Sequence, residues 1–228
     1  MLVESLIKET VELQGFRVVT VQQTNDGLEA ELRSDGRYTP RCGMCGRRAH
    51  YRDTRGVRRF RHVPLWGIDV HFVYAPRRVV CKHCGGVHVE LLPWVSGKRQ
   101  FTRALMITLA TWARVLTWKQ VATLFHCSWS TVATAVEETV AYGLAHRDLS
   151  EVTHIGIDEI SRKRGHVYVT NVYDLNSKLL LWSGEGRAKE TLQGFFDWFG
   201  KEQTERIEGV CCDMWQPYAD VVKARAPN

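Results

Sequence analysis

Hydrophobic positions along this chain change their period twice, and the changes divide it. In the first part apolar and polar residues alternate in short runs. FRVVTVQ and LEAELR, split by the turn signal Asn25-Asp26-Gly27, predict a β-hairpin within residues 1–36, after a short helical spacing at Leu2, Leu6, Ile7 and Val11. Residues 98–146 are helical in spacing. Phe101, Leu105, Leu109, Trp112 and Leu116 mark one amphipathic helix, and Thr117 with Gln120 is a capping-box signature for a second, from 118 to about 125. Ser128 is the expected N-cap of a third, from 129 to about 142. Trp112, Trp118 and Trp129 are read as core, and residues 143–152 as a linker.

After about residue 150 the alternation returns. Residues 153–158, 166–174, 178–182 and 207–212 read as strands, and Leu192, Phe195, Phe196 and Phe199 mark a helix ending at Gly200. The first strand of this last segment should end at Asp158 and the fourth at Asp213. If the helical crossover is right-handed, the fourth lies parallel to the first on its free side, and both aspartates emerge at one sheet edge. Neighbouring carboxylates are hard oxygen ligands, which suits Mg²⁺ or Mn²⁺ and in-line attack on a phosphodiester. Glu159 alternates to the opposite face, and the adjacent Cys211 and Cys212 read as buried strand positions.

Cysteine spacing adds a second metal. Cys42-Gly-Met-Cys45-Gly46 and Cys81-Lys-His-Cys84-Gly85 are two C-x-x-C-G knuckles, whose four thiolates close a tetrahedral structural zinc site. Glycine after each second cysteine permits positive φ. With strand-like runs between the knuckles, residues 37–97 read as a zinc-ribbon module; His50, His83 and His88 are substitute ligands at most.

The formal charge of +6 conceals an asymmetry: residues 37–103 hold 15 Lys and Arg against 3 acids. Seven arginines crowd the sixteen residues 47–62 (Arg47, Arg48, Arg52, Arg55, Arg58, Arg59, Arg61). This is either a solvated face or a phosphate-binding one, and the concentration favours DNA backbone contact. The short helix, tight turn and helix over 118–142 read as a helix-turn-helix, with Trp129, Ser130, Thr131 and Thr134 facing base edges. A plain helical hairpin is the competing reading, because His126 stands where the turn usually holds Gly. Lacking a signal-peptide layout or a long apolar run, the sequence reads as cytoplasmic, with no membrane association.

In serial order these motifs resemble the IS-L-three (ISL3) family of bacterial insertion-sequence transposases. The paired knuckles with RRFRHVPLWG and RRVVCKHCG are similar to its zinc finger. FTRALMITLATWARVLTWKQVATLFHCSWSTVATAV is similar to its helix-turn-helix, and GIDEIS with the following RGHVYVTNVYD, and CCDMWQPY, to its first and second acidic blocks. The resemblance implies a multidomain α+β chain: a zinc-ribbon module (37–97), a helix-turn-helix (98–146) and an incomplete RNase-H-like domain (153–228). It maps the first two members of an Asp, Asp, Glu triad onto Asp158 and Asp213, and it implies terminal inverted repeats as the DNA partner, with a homodimer possible. The family's third acid lies well beyond its second block. Only fifteen residues follow Asp213 here, with Asp220 their single acid, so the expectation is a C-terminally truncated transposase. A non-catalytic DNA-binding regulator is the alternative.

Overall fold

The computed structural model describes residues 13–97, 99–163, 167–213 and 215–226. The helical spacing read at residues 2–11 lies outside them. The chain divides into two compact units, Met1–Ala145 and His146–Asn228.

In the first unit, β1 (Phe16–Thr24) and β2 (Gly27–Ser34) form the hairpin. β3 (His50–Thr54), β4 (Arg58–Leu65), β5 (Ile68–Tyr74), β6 (Arg77–Val80) and β7 (Val87–Val89) follow. They make two sheets, ordered β1-β2-β5-β4 and β3-β6-β7. A two-stranded hairpin is marginal alone, and β2 uses its free edge to pair in parallel with β5. The expected division at residue 36 therefore runs through one sheet and one core, where Phe16, Leu32, Phe60, Phe72 and Trp94 pack together. The two sheets are tied by Glu90, whose buried carboxylate accepts from the Tyr74 hydroxyl (2.7 Å) and from Arg77 Nε (2.8 Å).

Three helices complete the unit: α1 (Arg103–Trp112), α2 (Trp118–Leu124) and α3 (Trp129–His146). The reciprocal Thr117–Gln120 capping box starts α2, and Ser128 Oγ accepts from the Thr131 N–H (3.2 Å) to start α3. α3 runs through Gly143, so the expected linker begins later than its glycine suggests. Small and aliphatic residues close the seam: Leu105, Leu109, Val121, Ala122, Val132 and Ala135 are buried. Trp112, Trp118 and Trp129 are 44%, 41% and 63% exposed, against the expectation of core. Helices this short have room for one shared seam, and the aliphatic residues fill it.

In the second unit, β8 (His154–Lys163), β9 (Val167–Asp174), β10 (Leu180–Glu185) and β11 (Gly209–Cys212) form a sheet ordered β10-β9-β8-β11. The connection contains α4 (Lys189–Phe199) and the short α5 (Lys201–Thr204), and α6 (Gln216–Arg225) follows β11. β11 is parallel to β8. Ile155, Ile157 and Val172 pack with Leu192, Phe195, Phe199, Tyr218 and Val221, so α4 and α6 cover one sheet face. Cys211 is exposed and Cys212 half-buried, which corrects the reading of both as buried; only Cys212 faces the helices. Among the described residues no helix is long and apolar enough to cross a membrane.

His62 joins sheet and helices in the first unit. Its ring stacks on Phe72 (4.5 Å), and its Nδ1 lies 2.9 Å from the hydroxyl of Thr102, the N-cap of α1. Burial pushes this imidazole down to about 4. The unfolded chain takes up a proton near pH 6.5, and the folded chain resists it. Stability should therefore fall by up to about 3 kcal/mol as pH drops from about 6.5 to about 4. Urea titrations of wild type and His62→Gln across that window should show the slope in the first and a shallower one in the second.

Candidate functional site

Three constellations carry chemistry. The first is the pair of knuckles. Arg41–Gly46 and Cys81–Gly86 are tight turns, with Gly46 and Gly85 at φ 69° and 72° as the motif requires. They bring Cys42, Cys45, Cys81 and Cys84 together with all four sulfurs within 4.8 Å of one another. Sγ–Sγ separations are 3.7 Å for Cys42–Cys84 and 3.6 Å for Cys45–Cys81. A tetrahedron with Zn–S bonds of about 2.3 Å has edges of about 3.8 Å, so the sulfurs fit one zinc ion. Backbone N–H groups of Cys84 and His83 hold the Cys81 thiol down to about 6. The hydrogen bond to Cys81 pushes Cys84 up to about 12, with burial adding to it. In the absence of metal, four thiolates cannot all ionise side by side. His83 and His88 are engaged elsewhere, with Arg47 (2.9 Å) and with the Gly85 carbonyl (2.7 Å).

The second constellation is a groove in the first unit. Two adjoining clefts of about 500 and 670 Å³ share Arg58, Gln100, Phe101 and Thr131. Arg58, Arg59 and Arg61 of β4 line one side; Ser128, Ser130, Thr131 and Thr134 at the start of α3 line the other. Trp129 projects to solvent outside both. The arginines differ sharply in how they are engaged. Arg59 pairs with Glu29 (2.9 Å) and Asp26 (3.4 Å), and Arg58 lies over the Phe60 ring (5.3 Å). Arg61 is mostly buried: it donates to the His126 carbonyl (2.8 Å) and pairs with Asp69 (2.9 Å). His126 holds φ 47°, left-handed backbone that favours glycine, so Arg61 fixes a strained turn between α2 and α3 against the sheet. The remaining arginines lie outside the groove. Arg47 is beside the cysteines, Arg52 is 3.7 Å from Asp53, and Arg48 and Arg55 are exposed.

The third constellation is the acidic pair. β8 continues to Lys163 because β9 pairs along it, so Asp158 stands mid-strand, not at a strand end as expected. The β8–β11 ladder ends at Cys212↔Ile157. Asp213 is the next residue after β11, and continuing the register by one step would bring it level with Asp158 on the same face, neighbouring strands being about 4.8 Å apart. Both are exposed, and Asp158 Oδ1 accepts from the Glu159 N–H (2.8 Å). Glu159 is on the helix-covered face near Tyr218, whose hydroxyl is pushed up to about 12, by burial first and by Glu159 after it. Two carboxylates suit a magnesium-like ion, which commonly takes one or two protein carboxylates and fills its other positions with water and phosphate. Among the described residues no third His, Cys, Asp or Glu joins them at ligating distance. Asp220 lies on α6, bonded to Gln216 (2.9 Å).

One neighbour of the pair escaped the sequence reading. Asn171 of β9 is opposite Asp158 in register and buried, and its Oδ1 accepts from the Ser183 hydroxyl (2.8 Å). Asn171 lies within RGHVYVTNVYD, but only the strand register sets it opposite Asp158.

Residues 155–228 match the model of the ISL3 transposase family. The chain is 34% identical over 201 residues to the transposase of insertion sequence element IS1557 from Mycobacterium tuberculosis, covering 87% of this chain and 45% of that protein. It is 29% identical over 187 residues to the IS1001 transposase of Bordetella parapertussis, covering 82% and 46%. The chain spans about half the length of the curated relatives it matches. Residues 155–228, the greater part of the second unit, match the transposase domain of the ISL3 family, and both curated relatives are insertion-element transposases.

Two predictions follow from the first unit. Purified protein should carry about one zinc per chain, and Cys81→Ser should lose it with a fall in melting temperature; well under one zinc, with melting indifferent to chelators, would contradict the site. Arg61→Ala should destabilise the unit by about 1–3 kcal/mol and speed amide exchange at Cys127 and Ser128. Arg61→Lys should not restore it, because one ammonium cannot span both Asp69 and the His126 carbonyl.

Proposed function

We propose that this chain is a transposase of the ISL3 type, acting on double-stranded DNA at the terminal inverted repeats of its element. The observation that carries the reading is the β8–β11 register, which ends at Cys212↔Ile157, one residue before Asp213 and Asp158, inside the segment matching the family's domain. In this reading the second unit is a partial RNase-H-like domain, and Asp158 and Asp213 hold Mg²⁺ or Mn²⁺. The ion, when bound, activates the attacking oxygen and neutralises phosphate charge. The two carboxylates fix where it sits. Asn171, oriented by Ser183, holds Asp158's side of the sheet rigid.

The first unit binds the DNA. Cys42, Cys45, Cys81 and Cys84 hold a structural zinc in a zinc-ribbon module, and α2, the His126 turn and α3 act as a helix-turn-helix. Ser130, Thr131 and Thr134 face the groove opposite Arg58, which supports phosphate and base-edge contact there. Arg47, Arg48, Arg52, Arg55 and Arg59 add cationic surface, and Trp129 stands exposed at the start of the recognition helix. Arg61 serves by holding the turn. A homodimer pairing two DNA ends is consistent with the family.

A second reading, a DNA-binding regulator without catalysis, is favoured by the acidic pair having no third ligand beside it among the described residues. One experiment separates the two. Duplexes carrying the element's ends are incubated with the protein and Mg²⁺ or Mn²⁺. Catalysis predicts strand cleavage that falls at least about 100-fold in Asp158→Asn and in Asp213→Asn, with DNA affinity retained. Tight end binding without cleavage in wild type selects the regulator.

A further inference from the structure

The turn between β4 and β5 holds two residues, Trp66 and Gly67, which close the Leu65↔Ile68 pair. Both have positive φ, 52° and 80°. Turns of this kind favour Asn-Gly or Gly-Gly, because both central residues take left-handed backbone. A bulky side chain there is a genuine outlier. Packing does not compensate for the strain: at 79% exposure, Trp66 is the most exposed large apolar side chain among the described residues. The fold holds an aromatic ring out in solvent at the tip of a hairpin, in the least comfortable backbone available.

The surroundings decide what the ring meets. The strand leading to the tip carries Arg58, Arg59 and Arg61, and residues 37–103 hold 15 Lys and Arg against 3 acids. Even with Arg59 and Arg61 paired internally, the segment stays strongly cationic. A stable protein interface buries about 800 Å² per partner. One ring beside a 39%-exposed Ile68 offers far less, yet it has the dimensions of a single base-stacking platform. A flat apolar ring standing out from a segment with so large a basic excess matches a polyanion whose units have flat apolar faces.

We propose that Trp66 is a nucleobase-stacking residue, placing its indole against a base at a step of the duplex that the protein opens. The inference rests on the DNA-binding reading above and adds a contact made by a hairpin tip outside the helix pair.

The test measures binding of the full chain to a short duplex from the end of its element, labelled with 2-aminopurine at single adenines. Trp66→Ala should weaken binding about tenfold and abolish the 2-aminopurine response. The slope of log affinity against log salt should stay unchanged, because no phosphate contact is lost. Trp66→Phe should keep most of the affinity. Trp66→Asn should bind as weakly as the alanine variant while its melting temperature rises, because asparagine suits the left-handed turn. If wild type binds and both Ala and Asn variants match it, the Trp66 assignment is wrong and the DNA reading stands. If wild type binds no duplex, both fall. Should Trp66→Ala leave DNA affinity intact but dissolve a wild-type dimer, the ring is a contact between copies, and the assignment is again overturned.

Discussion

The second unit depends on one pairing, the four-residue parallel ladder between β11 and β8. A parallel neighbour requires a crossover, and α4 supplies it by burying Leu192, Phe195, Phe196 and Phe199 on the sheet. The ladder stops at Cys212↔Ile157, so the next residue on each strand is an aspartate, Asp213 after one and Asp158 after the other. Shift the register by one residue and Asp213 would turn toward the helices, leaving Asp158 alone on the open face. The hydrophobic demand of Val210 and Cys212, both packed against the helix-covered core, prevents that slip. A carboxylate pair exposed on one face is thus a consequence of apolar burial on the other.

In the first unit, position is fixed by charge and by sulfur. Glu90 binds the two sheets together through Tyr74 and Arg77, and four convergent thiols knit the loops of the smaller sheet. The basic excess is not uniformly available to an anionic partner. Arg59, Arg61, Arg77 and Arg78 are paired with acids, Arg78 bidentately with Asp53. Arg61 makes the turn of the helix pair a rigid extension of the sheet, so groove and turn form one surface.

Features with local causes were legible in the sequence. The knuckles, the capping box at Thr117 and the N-cap at Ser128 depend on residues three or four apart, and the four-cysteine cluster and both caps stand in the structure. Features set by distant partners were not. Asp158 sits mid-strand because β9 extends β8, and the fate of each arginine depends on acids that sheet register brings from Asp26, Glu29 and Asp69. The tryptophans of the helical segment follow helical spacing, but which face is buried is decided by aliphatic partners on the other helices. Trp66 carried no signal beyond preceding a glycine; its strain and exposure are conformational facts.

The proposal that Asp158 and Asp213 act as one metal site is tested most directly by paramagnetic broadening with Mn²⁺. Amide resonances should broaden together around Gly156–Glu159 and Cys211–Asp213, and both sets should sharpen again when either aspartate is changed to asparagine. Broadening confined to one strand, or centred on an unrelated acidic surface, would contradict it.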